Sequence, residues 1–402
     1  MSDLKAIVNA ARGLRATGQP FLLATVVAVR GSSYRRPGAR MIIADDRRVA
    51  GSVSGGCLEQ DLIRRGWWHT RDGAPALLTF DSTSDDDRDG EPQARTGCGG
   101  VVEILLERVL ANAVEHPLLL LETALDEEAN IELLTVFRSV RAEVPVGSRW
   151  VIPPLTACGV PAAMGGSAPF AVPIERARRA LARANATGSR SFASVNVALP
   201  DGSVEALAER LGPPPHLFVF GSGPDAVPVV ALARALGWTI TLWDPQGRAE
   251  TKLRFAAADR VCAGDLAALR SHIEASLRPL AVVMSHNLEH DRQALAMVLS
   301  SKANYIGVLG PRRRTDRLLA ALPGGGAQGE EQRGRLHAPV GLQLGAETPD
   351  EIALSIIAQA QAVVTGAAAG HLSQQARAIH GSASFPALAP LESLSVGMGS
   401  GR

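Results

Sequence analysis

The sequence predicts an α/β protein: an N-terminal mixed α/β domain followed by a Rossmann-like doubly wound parallel-sheet domain. Three observations carry this. After Pro213-Pro214-Pro215, strand-like and helix-like segments alternate, the order that builds parallel βαβ units. The first of those strands runs into Gly221-Ser222-Gly223-Pro224-Asp225-Ala226, a glycine turn opening a helix, and Asp244 ends the next strand. Ahead of the prolines, strands, a hairpin and short helices follow one another without that alternation.

Taken in order, residues 4–17 carry the apolar spacing of a short amphipathic helix. Phe21–Arg30 is apolar and β-branched, a strand. Gly31–Gly38 breaks the pattern as a loop with two arginines. Arg40–Ala44 and Arg48–Ala50 form a hairpin across Asp45-Asp46. Gly51-Ser52-Val53-Ser54-Gly55-Gly56-Cys57 is a second loop, and Leu58–Trp68 a helix. Pro75–Phe80 and Val101–Glu107 read as strands on either side of an acidic, solvated run from Asp81 to Glu91. A helix is expected near Pro117–Leu125, with strands near Ile131–Arg138, Ser148–Ile152 and Ser191–Ala198. A basic helix is expected over Glu175–Ala184. Beyond the prolines, strands are expected at His216–Phe220, Trp238–Trp243, Arg260–Cys262, Ala281–Ser285 and Asn304–Leu309. Helices are expected near 225–236, 266–275, 288–299 and 313–321. Pro323–Gln332 reads as a mobile stretch and Pro349–Val364 as a last amphipathic helix. We draw the domains at 1–212 and 213–370, with a weakly ordered tail at 371–402.

The 402 residues are 46% hydrophobic and 20% charged, enough to bury two cores. A net charge of +1 gives no basic face for nucleic acid. The N-terminus lacks the apolar core of a signal peptide, and no apolar run is long enough to span a bilayer. Four cysteines without a C-x-x-C pair do not resemble a secreted disulfide framework, so a reduced, cytoplasmic protein is expected.

Two glycine-wrapped cysteines are the sharpest chemical signal. Cys57 follows Gly55 and Gly56 at a helix start, and Cys98 sits in Gly97-Cys98-Gly99-Gly100. Glycines bring the backbone close to a ligand, and a helix N-terminus favours anions and a thiolate. Cys57 and Cys98 have no further Cys or His close by to complete a zinc site. They are either small buried side chains or reactive thiols lining a pocket; Arg35, Arg36 and Arg40 favour the pocket. In the second half, Gly221 and Gly223 suit a phosphate and Asp244 a ribose. Pro224 removes one N–H from the turn, which counts against ordinary NAD(P) binding. His286 ends the fourth parallel strand, the edge where such sheets bind ligands, while Asn287 and Glu289 suit a turn and helix cap. Arg312, Arg313 and Arg314 open a helix as a phosphate site or as a solvated face.

Ala39-Arg40-Met41, the Gly51–Glu59 run, and Gly97–Gly100 with Glu103 resemble the N-terminal domain of the XdhC/CoxI family. Phe220–Gly223, Ser285–Asn287 with Asp291, Tyr305–Gly310 and Gly345–Ser355 resemble its second half. Residues 111–200 have no clear counterpart and read as an elaboration. The resemblance implies a chaperone that binds the molybdenum cofactor, as molybdopterin or its cytosine dinucleotide. It would hold the cofactor while a cysteine desulfurase installs the terminal sulfur, then insert it into a molybdenum hydroxylase. Cys57 and Cys98 fall on the family's glycine-flanked cysteines, and Gly221 and Gly223 on its Rossmann glycines. On this reading Cys57, Cys98, Gly55, Gly56, Gly99 and Arg40 face the metal half of the cofactor, and Gly221, Gly223, Asp244 and His286 the nucleotide half. A homodimer through an apolar helix such as 352–364 is expected. The alternatives are an NAD(P)-dependent oxidoreductase, a sulfurtransferase carrying persulfide on Cys57, and a scaffold with a vacant Rossmann domain.

Overall fold

The computed structural model describes residues 2–81, 100–113, 116–152, 192–199, 202–264, 266–322 and 329–374. Its elements, in chain order, fall into three sheets with flanking helices. The first sheet follows α1 (Ser2–Ala16). It holds β1 (Phe21–Gly31), β2 (Arg40–Ala44), β3 (Arg47–Gly51), β4 (Ala76–Asp81) and β5 (Gly100–Val109), in the order β3-β2-β1-β5-β4. Between β3 and β4 runs α2 (Cys57–His69). β1 is buried along eight residues: α1 packs on Phe21 and Leu23, α2 on Leu22, Ala24 and Val26, and the second sheet on Val27 and Ala28. The Gly97–Gly100 turn, apart from Gly100, and the acidic run after Asp81 lie outside the described residues.

After α3 (Leu119–Asp126), a second sheet holds β6 (Ile131–Ser139), β7 (Arg149–Ile152), β8 (Phe192–Leu199) and β9 (Gly202–Leu211), ordered β7-β6-β9-β8. It repeats the first. β1 pairs with β5 through Thr25–Leu105 and Val26–Ile104, skips Val27, and resumes at Ala28–Glu103. β6 pairs with β9 through Thr135–Leu207 and Val136–Ala206, skips Phe137, and resumes at Arg138–Glu205. Both bulges lie at the same register. Gly38 and Gly147, at φ 89° and 91°, precede β2 and β7, and each donates its N–H to the bulged strand, at Val26 and Val136. Such φ values are easy only for glycine. Thus β6–β9, which begin within the stretch 111–200 expected to be an elaboration, repeat the plan of β1, β2, β4 and β5.

The two copies face each other and exchange side chains. Val27, Ala28 and Leu105 of the first meet Phe137 and Leu207 of the second. Buried Arg40 on β2 pairs with Glu209 on β9, and Arg149 on β7 pairs with Glu107 on β5 at 2.5 and 2.8 Å. Glu107 and Glu209 occupy equivalent positions, opposite Leu23 and Leu133. Each arginine also donates to the carbonyl of its own loop glycine, Gly38 or Gly147, at 2.9 Å. A buried charge is tolerated when paired and hydrogen-bonded, and here each copy supplies the counter-charge for the other.

The third sheet is parallel. Its strands are β10 (His216–Phe220), β11 (Thr239–Asp244), β12 (Arg260–Ala263), β13 (Pro279–Val283), β14 (Tyr305–Val308) and β15 (Leu336–His337), ordered β12-β11-β10-β13-β14-β15. Along β10, Leu217 and Val219 face α4 (Ala226–Ala235) and α10 (Pro349–Thr365). Phe218 and Phe220 face the opposite layer, α6 (Leu266–Ala275), α7 (Leu288–Leu299) and α8 (Arg312–Ala320). Helices on both faces make it doubly wound. The chain reverses direction across the sheet between β10 and β13.

Short α5 (Ala249–Arg254), α9 (Glu330–Arg335) and β15 were not expected, and α9 replaces part of the anticipated mobile stretch at 323–332. α10 spends its apolar face internally, through Ala353, Ile356, Ile357 and Ala360, leaving Leu354 and Val363 outside. It is fixed by a Thr348–Glu351 capping box, Pro349 in its first turn and left-handed Gly366 at its end. No described helix is long and apolar enough to cross a membrane.

Candidate functional site

Two loop clusters gather the residues singled out in the sequence. The first joins the loop before β2 to the loop before α2. Arg35 Nε donates to the Ser52 carbonyl at 3.0 Å, and Ser33 Oγ to the Arg35 carbonyl at 2.9 Å. This holds Tyr34, 65% exposed, beside Gly55, where an added Cβ would lie 4.0 Å from the Tyr34 ring. At Gly56, φ 125°, an added Cβ would meet nothing within 4 Å, so the backbone there faces open space. Cys57 is the first residue of α2. Its side chain, like Cys98 and Gly99, lies outside the described residues, as does Cys158.

The interior of this loop is organised by Glu59, which closes the Gly51–Glu59 run but has no role of its own on the sequence reading. Buried Glu59 Oε1 accepts from Ser52 Oγ at 2.7 Å, Val53 N at 3.1 Å and Ser54 N at 3.3 Å. Those two amides are satisfied by the chain's own carboxylate and are not left for an external anion. Gly56 N turns to Ser54 Oγ at 3.1 Å. The outward face of the loop is therefore Gly55, Gly56 and the start of α2. Arg40, expected to line the pocket, is turned inward onto Glu209, because it projects from β2 toward the facing second sheet.

The second cluster lies at the carboxyl edge of the parallel sheet. Gly221 (φ 139°) is in a conformation that suits glycine, and an added Cβ would lie 2.6 Å from the Met284 carbonyl oxygen. Across the chain-reversal point, His286 Nε2 meets Asp225 Oδ2 at 2.6 Å; His286 is itself in the left-handed region, φ 60°. Gly223 lies beneath this pair, 3.8 Å from the His286 ring by its added Cβ. Asn287 caps α7, its side chain accepting from Glu289 N and His290 N, the use the sequence suggested.

Asp244 is buried and already fully engaged. Oδ1 accepts from Ser222 Oγ (3.1 Å) and Gln246 N (3.2 Å); Oδ2 accepts from Thr251 Oγ1 (2.7 Å) and Arg248 N (3.2 Å). Burial works against its charge, but these four donors outweigh it and hold the carboxyl below its usual range. Arg314 reaches back from α8 to Asp291 at 2.7 Å, and Asp291 accepts from Ser285 N at 3.0 Å, so this arginine braces the β13 loop. Cys262 lies on the edge strand β12, half-buried, with burial pushing its thiol up.

The two clusters sit on different parts of the molecule. The ion pair between Lys5 of α1 and Asp259, at 3.0 Å, joins the N-terminal half to the parallel sheet. Asp259 also accepts from Ile240 N, near the start of β11, so this contact is at the amino edge, opposite the glycine turn.

Comparisons with known proteins agree with this architecture. Residues 14–81 match the model of the XdhC and CoxI family, and residues 217–360 that of the XdhC Rossmann domain. The chain is similar to a Bacillus subtilis protein described as a probable xanthine dehydrogenase subunit, 29% identical over 338 residues, 84% of this chain and 91% of that one. It is also similar to the uncharacterized protein YqeB of Escherichia coli, 29% identical over 170 residues, 42% of this chain and 31% of that one. A crystal structure described as a xanthine dehydrogenase from Bacillus halodurans superposes with a TM-score of 0.64 at 26% identity, covering 94% of this chain and 98% of that one. With both halves matched and the parallel sheet where the Rossmann match lies, this chain belongs to the XdhC and CoxI family.

Proposed function

We propose that the protein is an accessory factor for a xanthine dehydrogenase or aldehyde oxidase-type molybdenum hydroxylase. It binds the molybdenum cofactor as cargo, holds it while a cysteine desulfurase supplies the terminal sulfur, and passes it to the client. Family membership and the xanthine dehydrogenase names of its relatives support the client class. The observation that carries the cargo reading is the first loop cluster. Arg35 ties the Tyr34 loop to Gly51–Gly56, leaving an aromatic ring, open glycine backbone and the start of Cys57's helix on one outward face.

That donor set suits a phosphorylated pterin bearing a metal dithiolene. The ring offers stacking, glycine backbone admits close approach, and a cysteine sulfur is the soft ligand that molybdenum–sulfur chemistry favours. Glu59 acts from inside, holding Val53 and Ser54 so that the loop keeps its shape without cargo. The cargo's metal supplies the redox chemistry only after delivery; this chain binds, orients and shields it.

The test is transfer of cofactor to a cofactor-free hydroxylase by wild type and by Cys57→Ala and Cys57→Ser. Wild type should load and transfer, and both variants should retain much less cofactor. Undiminished cofactor in Cys57→Ala would remove the thiol from the account.

A further inference from the structure

We infer that the glycine turn of the parallel sheet holds a phosphomonoester through Arg248 and Arg254, with Asp244 as an internal anchor rather than a sugar ligand. This goes beyond the cargo reading and does not depend on it. A ribose-binding acid must have lone pairs left to accept two sugar hydroxyls. Asp244 has four donors on two oxygens, all from its own loops and helix, and is 1% exposed. A ribose diol at this position meets no acceptor.

Cations stand there instead. Ser222, 7% exposed at the centre of the turn, is the hub. Its Oγ donates to Asp244 and accepts from Arg248 Nη2 at 3.1 Å, and its carbonyl accepts from Arg254 Nη1 at 3.3 Å. The two guanidinium groups come from opposite ends of α5 and converge on one residue. Arg248 Nε is 3.8 Å from Asp244 Oδ2, while Arg254 reaches the Ser222 carbonyl, so this carboxylate offsets one of the two guanidinium charges and leaves the other. Arg248 keeps 45% of its side chain toward solvent, where a ligand would approach. The other acid of the turn, Asp225, is engaged on the far side by His286.

Two guanidinium groups over a glycine turn suit a dianionic phosphate, which accepts several charge-assisted hydrogen bonds, better than a diester or an uncharged sugar. In a dinucleotide fold, an arginine next to the second strand's end is the residue that accommodates a ribose 2′-phosphate. The monoester is then either on a ribose 2′ position or at the end of a 5′-phosphorylated ligand.

Isothermal titration of the full-length protein with 2′-AMP, 5′-CMP, NADP+, NAD+, adenosine and cytidine tests this at fixed ionic strength. At least one monophosphate should bind roughly tenfold or more tighter than its nucleoside. Preference for 2′-AMP, and for NADP+ over NAD+, assigns the ribose 2′ source; preference for 5′-CMP assigns the terminal phosphate. Arg254→Gln, which touches only a backbone carbonyl, should lose most of that margin, and Arg248→Gln should as well. Circular dichroism would show that both variants stay folded. The inference is overturned if nucleosides bind as well as their monophosphates, if no monophosphate binds at millimolar concentration, or if folded Arg254→Gln binds as wild type does.

Discussion

Cutting one reciprocal ion pair should cost the N-terminal half a large share of its stability. Arg40 and Glu209 side chains are 8% and 4% exposed, and Arg149 and Glu107 are 14% and 6% exposed. For Arg149, burial disfavours the charge, but Glu107 and Glu209 outweigh it and raise the guanidinium's proton affinity. Removing one partner from a buried pair strands the other charge, at about 3–5 kcal/mol. Glu107→Ala and Glu209→Ala should each fall in that range and resemble one another, since the two positions are equivalent in the repeat. The double variant Arg40→Met/Glu209→Leu should cost less than Glu209→Ala alone, because no charge is left unpaired. Urea denaturation with hydrogen exchange read on peptides of β5 and β9 isolates this half from the parallel sheet. Single-variant losses below about 1 kcal/mol, with additive doubles, would refute the view that each copy neutralises the other.

Three further outcomes follow from single residues. Burial pushes His216 down to about 4 from 6.5, so the unfolded chain takes up its proton first as pH falls. Stability of the parallel-sheet domain should be whole above pH 6.5, decline by about 3 kcal/mol toward pH 4 and level off below it. His216→Gln should flatten that slope in pH-dependent melting. Glu59→Ala strips the acceptor from Ser52, Val53 and Ser54. It should destabilise the loop by about 3 kcal/mol, seen as faster exchange over residues 51–58, and Glu59→Gln should cost less. Gly221→Ala drives a methyl into the Met284 carbonyl at positive φ, and should lower stability by more than about 2 kcal/mol in thermal melts.

Five of the six strands of the parallel sheet were legible because their signals are local; two-residue β15 carries no such signal. β-Branched runs, a glycine turn and helix caps fix each element within a few residues of its place. β9 was not legible. Gly-Ser-Val-Glu-Ala-Leu-Ala-Glu-Arg-Leu has the composition of a helix, and only pairing with β6 on one side and β8 on the other makes it a strand. Its glutamates are there for partners distant in sequence, which no local pattern reveals. The repeat was hidden for the same reason. Pro37-Gly38-Ala39-Arg40 and Val146-Gly147-Ser148-Arg149 share a glycine and an arginine two apart, enough to place an ion pair and too little to announce a duplication.

At the sites, chemistry was easier to read than direction. A strand-ending acid looks the same whether it meets a sugar or, as Asp244 does, its own loop. Arg40 reads as a pocket residue until the second sheet supplies Glu209. Glu59 shows how a glycine loop with spare amides is partly filled from within. The only hint was its position two residues after Cys57, where a helix's first turn can reach back to the loop.

The central claim is that this protein carries molybdenum cofactor. It is tested most directly by purifying the full chain from a molybdenum-replete host and measuring bound pterin and metal. The account predicts pterin and molybdenum together, in amounts approaching one per chain, and falling when Cys57 is replaced by alanine. Protein that carries neither, from a host shown to make the cofactor, would contradict it.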